Sequence, residues 1–328
     1  MANKICFIVG HGKSKTGGYD SGAVSKDGKY HEFKIVREIA KHAQEYYNAT
    51  YEEQADIINY NGDLYLSDRI KLANKMSYDF IVEIHLNSST SASAKGVECY
   101  YENKDKKGQQ YADAICDQIA MSLGVEQRKN GTDADGGDKV KLNSSGDDYF
   151  GIIRQTTNVD VRLLLETVFI SNYSDLLKVN TATGQKKAGE AVAKAVAKVR
   201  NAKKKIVDGW HKDEKGWYYI KNGTKSIDRW IEDSQGWCYV GADGYCVTSQ
   251  WRKDSKGWCY IDVNGRAIQN DWAKIGGRWY CFDDNCYAVK GMQTVNGKHY
   301  YFAEANYNDI KECQLIITNE NGEIKKEI

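Results

Sequence analysis

Residues 7–23 read FIVGHGKSKTGGYDSGA. An apolar run stops at Gly10, and His11 then stands between two glycines. The β-branched and aromatic character of the run predicts a β-strand that ends at the glycine. A histidine at the exit of a strand is either an ordinary loop residue or a metal ligand or base that a substrate can reach. This segment alone does not distinguish the two.

The first 200 residues alternate between two kinds of segment. Short apolar runs, rich in β-branched and aromatic residues, predict strands at 4–10, 78–87, 96–102 and 161–170. Apolar residues three and four positions apart predict helices at 32–47, 63–76 and 107–124. The alternation predicts an α/β catalytic domain with a mostly parallel sheet flanked by helices. In such sheets, ligands bind beyond the carboxyl ends of the strands.

The composition of the chain changes abruptly near residue 203. All eight tryptophans lie beyond residue 209. An alanine-rich segment with helical spacing, from Thr181 to Arg200, comes before the change, and the charged run NAKKK follows it. We therefore predict a catalytic domain at residues 1–202, a linker at 203–208 and a second domain at 209–328.

The second domain contains an internal repeat. Two series of tryptophans recur at intervals of 20, 21 and 21 residues: Trp210, Trp230, Trp251 and Trp272, then Trp217, Trp237, Trp258 and Trp279. A fixed period of about 20 residues is typical of a repeat architecture built from one small unit. A single hairpin cannot bury its own face. The period therefore predicts a solenoid of stacked β-hairpins with Asn-Gly or Asp-Gly turns.

The overall composition excludes several classes of function. A formal net charge of +1 argues against nucleic acid as a partner, and no run of 18 apolar residues could span a membrane. The start, MANKICFIVGHG, lacks the pattern of a secretory signal, so no signal peptide is expected. Nine cysteines without CxxC spacing predict reduced thiols made in a cytoplasm. The acidic segment 133–138 lacks the last glutamate of a calcium loop, so an ordinary loop is expected there.

Four residues near the predicted strand and helix ends carry acid or imidazole groups: His11, Glu32, His85 and Glu166. Two histidines and a carboxylate can hold a zinc ion and leave its fourth position open to water. A second carboxylate can then act as a general base. Each residue also has a structural interpretation, since a lone histidine is often structural and a glutamate at a helix start opposes the helix dipole. An ionised Glu166 in its apolar strand would be costly unless paired or used.

The order of these motifs resembles the zinc-dependent N-acetylmuramoyl-L-alanine amidase family. The matching pieces span residues 5 to 200: GHG and DSGA, the helix glutamate, LSDRIKLAN, IVEIHLNSS, GVECYY and LLLETVFISN. The resemblance implies that His11, Glu32 and His85 bind Zn²⁺ and that Glu166 is the catalytic base. Glu32 is favoured over its neighbour His31, because adjacent helical residues point about 100° apart. Arg69 and Asn87 also match and are interpreted as supporting or structural residues.

The GWYYI, GWCYV and GWCYI units resemble the choline-binding repeats of enzymes that attack bacterial walls. The resemblance implies aromatic boxes that hold a quaternary ammonium group by cation–π attraction. The candidate rings are Trp217 and Tyr219 with Trp230, Trp237 and Tyr239 with Trp251, and Trp258 and Tyr260 with Trp272. Alternatively, some of these rings only form the solenoid core. Cys281 replaces the last tyrosine of the fourth unit, which argues against a fourth box.

The two resemblances together imply an enzyme that lyses the bacterial cell wall. The expected reaction is hydrolysis of the amide between N-acetylmuramic acid and L-alanine in peptidoglycan, with choline or another wall-polymer group held by the repeats. The expected absence of a signal peptide favours a phage endolysin that stays in the host cytoplasm before lysis. The alternatives are a bacterial autolysin of the same activity, a zinc peptidase acting on the wall peptide, and a wall-binding protein with a spent catalytic domain.

Overall fold

A computed structural model describes residues 4–91, 93–129 and 136–317, together with the backbone of residues 318 and 324–325. The chain divides into two compact units, Met1–Lys205 and Ile206–Ile328. Residues 133–135 of the acidic segment lie outside the described residues. Within the described part, none of the helices has the length and apolar character that a membrane crossing requires.

The first unit is built on a six-stranded sheet with the order β4-β1-β5-β8-β6-β7. The strands are β1 Ile5–Val9, β4 Ala55–Ile58, β5 Phe80–Asn87, β6 Glu98–Tyr101, β7 Asp138–Lys139 and β8 Val161–Phe169, and β2 Gly12–Lys13 pairs with β3 Tyr19–Asp20 outside this sheet. Every pairing in the six-stranded sheet is parallel except that between β6 and β8. The predicted α/β fold with a mostly parallel sheet is therefore confirmed.

Helices cover both faces of this sheet: α1 Glu32–Thr50, α2 Leu66–Met76, α3 Lys106–Leu123, α4 Gly151–Gln155, α5 Tyr173–Val179 and α6 Ala182–Arg200. Successive strand residues point to opposite faces. In β1, Phe7 packs in the large core with α1, α3, α5 and α6, whereas Ile8 packs in a smaller core with α2 and α4. Burial on both faces explains why these strands read as continuous apolar runs rather than as alternating ones.

The segment predicted as a linker, 203–208, contains the boundary between the two units. Its first three residues are bonded to the first unit. Lys204 forms a β-bridge with Tyr51, the Glu52 amide donates to the Lys203 carbonyl (2.8 Å), and the Lys205 amide donates to the Thr50 carbonyl (2.8 Å). Residues 203–205 therefore extend the first unit through backbone hydrogen bonds, while all three residues are exposed.

The second unit is a series of short antiparallel hairpins, as the repeat predicts. Their strands are β9 Gly209–Lys212, β10 Trp217–Lys221 and β11 Thr224–Lys225; β12 Arg229–Asp233 and β13 Gly236–Val240; β14 Gln250–Lys253 and β15 Trp258–Ile261; β16 Trp272–Ile275 and β17 Arg278–Cys281; β18 Gly291–Val295 and β19 Lys298–Phe302; and β20 Ile317–Thr318 and β21 Ile324–Lys325. Buried residues of neighbouring hairpins share small cores, as Cys259 and Cys286 do.

The turns differ in part from those predicted. Asn-Gly joins β10 to β11 and β18 to β19, but an Asp-x-x-Gly segment joins the strands of the first and third hairpins. There the aspartate side chain accepts backbone amides, as Asp254 Oδ1 does from Lys256 (2.8 Å) and Gly257 (3.2 Å). Such a local carboxylate–amide turn stabilises the reversal without the left-handed pair that a two-residue loop needs.

A periodic polar contact links residues about one and a half repeats apart. In each case an aspartate at the end of a hairpin's first strand, or directly after it, is bonded to a side chain in the connection that follows the next hairpin. The pairs are Asp213 with Tyr245 (2.9 Å), Asp233 with Arg266 (2.7 and 3.0 Å) and Asp254 with Tyr287 (2.8 Å). These contacts recur with the repeat and join successive hairpins to one another.

Candidate metal centre and active site

His11 lies at the exit of β1 in an unusual backbone conformation. Its φ angle is 62°, in the left-handed region that few residues other than glycine adopt. Asn59 Nδ2 donates to the carbonyls of Val9 (2.8 Å) and His11 (2.7 Å), and Arg69 Nη1 donates to the His11 carbonyl (2.9 Å). Three hydrogen bonds from two side chains therefore hold the turn that presents the imidazole ring.

Three of the predicted residues converge on one point. His11 Nε2 lies 3.2 Å and His85 Nδ1 lies 2.9 Å from Glu32 Oε1. One ligand atom from each of the three residues lies within 4.8 Å of the others. Glu32 begins α1 on one side of the sheet, and His85 stands near the end of β5, so the centre forms where the helix start meets the strand ends.

The electrostatics of this cluster fit a cation. Burial raises the pKa of Glu32, but hydrogen bonds from His11 and His85 outweigh it and hold that pKa well below its usual range. Burial lowers the pKa of both histidines, but Glu32 outweighs it and raises them. The buried carboxylate thus attracts positive charge. Two imidazole nitrogens and one carboxylate oxygen form a donor set that suits zinc.

Glu166 lies directly beside this cluster on β8. It pairs with His85 of β5 in parallel register and with Glu98 of β6 in antiparallel register. Burial raises the pKa of Glu166 to about 8. Its Oε2 atom is buried and has no hydrogen-bond partner in the part of the chain that the structure describes. A carboxyl with one buried, unpaired oxygen and a pKa near neutrality is the state expected of a general acid or base.

The centre opens into a cleft of about 370 Å³. Its polar lining includes His11, Lys13, Asp20, Tyr65, Arg69, Glu83, His85 and Glu166, and its apolar lining includes Leu66, Phe150, Ile152 and Leu164. The polar groups and an apolar wall thus face the same space, which is the usual composition of a ligand site.

Two glycines leave the room that the cluster occupies. A Cβ on Gly10 would lie 2.4 Å from the His85 ring. A Cβ on Gly22, whose φ is +66°, would lie 2.6 Å from Glu32 Oε2 and 2.7 Å from His11 Cδ2. Both glycines belong to the GHG and DSGA motifs, and close packing against the cluster is a physical reason for them.

In the second unit, the structure groups the aromatic rings differently from the prediction. Tyr219 contacts Trp210 of its own hairpin (5.2 Å between ring centroids), not Trp230, and Trp217 is 50% exposed. Trp230 contacts Trp237 (6.4 Å) and Tyr239 (5.2 Å), again within one hairpin. These contacts lie within one hairpin because antiparallel register places the first tryptophan opposite the last tyrosine of the same hairpin, and the predicted ligand boxes stay predictions.

The third hairpin forms the fullest ring cluster, again apart from the predicted sets. Trp251 contacts Trp258 (6.1 Å) and Tyr260 (5.2 Å) of its own hairpin and Tyr280 (4.8 Å) of the next. Trp251, Trp258 and Tyr280 line a cleft of about 400 Å³.

The hairpins differ at the residue that follows the second tryptophan, whose place is taken by His299 in the fifth hairpin. Cys238 and Cys259 replace the ring at this position in the second and third hairpins. In the fourth and fifth hairpins, Tyr280 and Tyr300 occupy this position. Trp272 contacts the second of these, Tyr300 (5.0 Å), and not Tyr260 as predicted. Trp272 therefore contacts rings of the next hairpin even though Cys281 replaces the last tyrosine of its own.

Comparison with known proteins assigns the first unit. The profile described as N-acetylmuramoyl-L-alanine amidase matches residues 5–198. The chain belongs to the N-acetylmuramoyl-L-alanine amidase family. A second profile, the choline-binding repeat, matches residues 269–307, which include the fourth hairpin and its tyrosine partner in the fifth.

Relatives of this amidase-family chain cover mainly its first unit. The N-acetylmuramoyl-L-alanine amidase LytC of Bacillus subtilis strain 168 is 26% identical over 196 residues, which are 58% of this chain and 34% of LytC. Cwp6 from Clostridium difficile has 30% identity and a TM-score of 0.51, over 60% of this chain and 29% of Cwp6. An N-acetylmuramoyl-L-alanine amidase from Clostridium difficile 630 shares the fold, with 24% identity and a TM-score of 0.50 over 61% of this chain and 98% of that one. The chain thus spans about a third of the length of LytC.

Around the centre of this amidase-family unit lie residues that the sequence interpretation did not single out. Asp20 Oδ2 lies 2.9 Å from His11 Nδ1, and Glu83 Oε2 lies 3.3 Å from His85 Nε2. The sequence does contain a signal for Glu83, because it is the one acid in a buried strand. It lies two positions before His85, so both side chains are on the same face of the strand. Glu98 accepts from Asn87 and contacts the Lys139 ammonium.

The predicted supporting residues and the rejected alternative are also placed. Arg69 contacts the centre through the His11 carbonyl, and Asn87 reaches it only indirectly, through Glu98 beside Glu166. His31 forms a β-bridge with Val24 and is not part of the three-ligand group. The geometry therefore agrees with the choice of Glu32 over His31.

Proposed function

We propose that the chain hydrolyses the amide bond between the lactyl carbonyl of N-acetylmuramic acid and L-alanine in bacterial peptidoglycan. The observation that carries the proposal is the cluster of His11, Glu32 and His85 with Glu166, whose Oε2 atom is unpaired, beside it; His11, His85 and Glu166 line one cleft. Membership of the amidase family over residues 5–198 supports the choice of this bond.

The donor set fits a zinc ion. His11 Nε2, Glu32 Oε1 and His85 Nδ1 would hold it, and three protein ligands leave a fourth position open. When bound, zinc would polarise the scissile carbonyl and lower the pKa of a water molecule. Glu32 is fixed for this role, because its Oε2 atom accepts the Ala23 amide (2.8 Å) and its Oε1 atom accepts the Leu86 amide (2.9 Å).

Glu166 moves the protons of the reaction. It accepts a proton from the water that attacks the carbonyl carbon, so that a C–O bond forms. It then delivers this proton to the nitrogen of L-alanine as the C–N bond breaks. A carboxyl with a pKa of about 8 in the free site can exist in either protonation state near neutral pH, as both steps require.

The proposed reaction is tested on purified peptidoglycan with and without a zinc chelator. We expect the wild type to release new amino-terminal L-alanine and no new reducing sugar. We expect no such product when chelator is present or when Glu166→Gln replaces the wild type. Amino groups from other residues would indicate a zinc peptidase. Wall binding without any products would indicate a wall-binding protein and would contradict the proposed hydrolysis.

We also propose that the repeats hold the enzyme at the wall through a quaternary ammonium group such as choline. The cleft of Trp251, Trp258 and Tyr280 supports this, since each cation–π contact contributes about 0.5–2 kcal/mol. Several weak sites on one scaffold give strong retention on a repetitive polymer. Retention on a choline resin, released by free choline, is the expected result. Retention on whole wall but not on this resin would indicate a different wall group.

For the biological setting, we propose a phage endolysin that is kept in the host cytoplasm and acts at the wall after the membrane opens. All nine cysteines are unpaired, and all except Cys246 are buried, which suits a protein made in a reducing compartment. Production in a bacterial cytoplasm should cause lysis only after the membrane is permeabilised. Active protein outside intact cells would instead support an exported autolysin.

A further inference from the structure

Each histidine of the metal centre has a carboxylate on its outer side. His11 directs Nε2 towards Glu32 and Nδ1 towards Asp20, and His85 directs Nδ1 towards Glu32 and Nε2 towards Glu83. The two outer carboxylates differ in their surroundings. The side chain of Asp20 is 39% exposed, whereas that of Glu83 is 2% exposed. The carboxylate beside His11 is therefore partly exposed to solvent, whereas the carboxylate beside His85 is almost fully buried.

Glu83 is itself held in place from the opposite side. Arg69 Nε lies 2.8 Å from Glu83 Oε1 in an ion pair whose two side chains are 6% and 2% exposed. The contact is a charge contact rather than an aligned hydrogen bond. Arg69 Nη1 also donates to the carbonyls of His11 (2.9 Å) and Leu64 (3.2 Å). The guanidinium thus supplies the counter-charge that a buried carboxylate needs, and two backbone carbonyls hold it in place.

We propose that Glu83 is a positioning residue for the metal centre: it accepts the Nε2 proton of His85, so that the lone pair of Nδ1 faces Glu32 and the bound cation. This inference rests on the proposed zinc site. A carboxylate behind a ligating histidine fixes its tautomer and ring orientation and raises its basicity as a ligand. The strand imposes the arrangement, because residues 83 and 85 are two apart and lie on the same face of β5.

The alternative is that Glu83 only balances the buried charge of Arg69. Two variants separate these roles. Glu83→Asp keeps the negative charge but withdraws the carboxylate by about 1.5 Å, one carbon–carbon bond. Glu83→Gln removes the charge. A charge-balancing role requires that the aspartate variant behave like the wild type. A positioning role requires that both variants lose affinity for zinc.

The test measures zinc affinity by competition with a chelator in the full chain, with helical circular dichroism at 222 nm as the check on folding. We expect zinc to bind about 10- to 100-fold more weakly to Glu83→Asp. We expect a smaller loss for Asp20→Asn, the matched exposed partner of the other histidine. Nitrogen-15 NMR of the zinc-loaded wild type should show His85 protonated at Nε2 and coordinated through Nδ1.

Wild-type zinc affinity in a folded Glu83→Asp variant would overturn the proposal, and so would coordination of His85 through Nε2. Failure of Glu83→Gln to fold leaves the aspartate variant to decide. Amidase activity is not part of the measurement. A protein that binds zinc as described but releases no L-alanine from the wall would contradict the proposed reaction and leave the role of Glu83 standing.

Discussion

Replacing Glu166 by glutamine should stabilise the metal-free protein while it destroys activity. The carboxyl is buried beside two other acids of the same site, Glu32 and Glu98, and both raise its pKa further. Glutamine has nearly the same shape as the protonated acid but cannot ionise. In the folded wild type, burial disfavours the ionised form of Glu166, and this lowers the stability at any pH where the unfolded chain would be ionised. The substitution removes this cost, and it also removes the group that moves protons.

The magnitude follows from the pKa. Burial raises the pKa of Glu166 from 4.5 to about 8, so between these values the folded chain holds a proton that the unfolded chain has lost. The free energy of unfolding of the wild type then falls by about 1.4 kcal/mol per pH unit across this window. At pH 7 the accumulated cost is about 3 kcal/mol, as an upper bound. The glutamine variant should match the wild type at the acid end of the window and exceed it increasingly up to pH 8.

The two units can be followed separately in urea unfolding. All the described helices lie in the first unit, so circular dichroism at 222 nm reports on it. All eight tryptophans lie in the second unit, so their fluorescence should not change between variants. Chelator must be present, because a cation beside Glu166 would favour its ionised form and reduce the difference.

Glu98 provides the matched control. It is a carboxylate with 3% exposure directly opposite Glu166 in the sheet, but it contacts the Lys139 ammonium and Arg128. Removing one partner of such a group leaves a buried charge, so Glu98→Gln should destabilise the first unit by about 3–5 kcal/mol. A Glu166→Gln difference that stays flat from pH 5 to pH 8, or a variant less stable than the wild type at pH 7, would refute the reasoning.

Further predictions concern both units. Gly22→Ala should abolish zinc binding in equilibrium dialysis without loss of helical signal, because the new Cβ would lie 2.6 Å from Glu32 Oε2; retained binding would contradict the packing. Trp251→Ala should elute from a choline resin at lower choline than the wild type, since this ring contacts two hairpins, and unchanged elution would exclude it from the ligand site. Tyr287→Phe removes a hydrogen bond to Asp254 and should lower the stability of the tryptophan-monitored transition by about 1 kcal/mol; no change would make the contact incidental.

The sequence by itself determined the element types and the repeat. Strands such as Ile5–Val9 and helices such as Ala182–Arg200 could be predicted from hydrophobic periodicity and intrinsic propensity. Both properties depend only on residues that are close together in the sequence. The tryptophan spacing of 20 or 21 residues likewise predicts the series of hairpins. The four site residues were found through the order of their motifs, because a resemblance preserves order along a chain even where spacing varies.

Only the tertiary structure decided which atoms meet. His85 lies 53 residues from Glu32, and the nitrogen that faces it depends on strand register and ring rotation, which no local pattern encodes. In the sequence, Glu83 is an isolated acid in a strand of apolar residues, and only the fold brings Arg69 of α2 to it as a counter-charge. The ring clusters of the second unit also depend on tertiary structure. Antiparallel register pairs Trp251 with Tyr260 of its own hairpin, and the packing of successive hairpins brings Tyr280 to it. Contacts between residues far apart in sequence are set by how preformed elements pack, so they exist only in the folded chain.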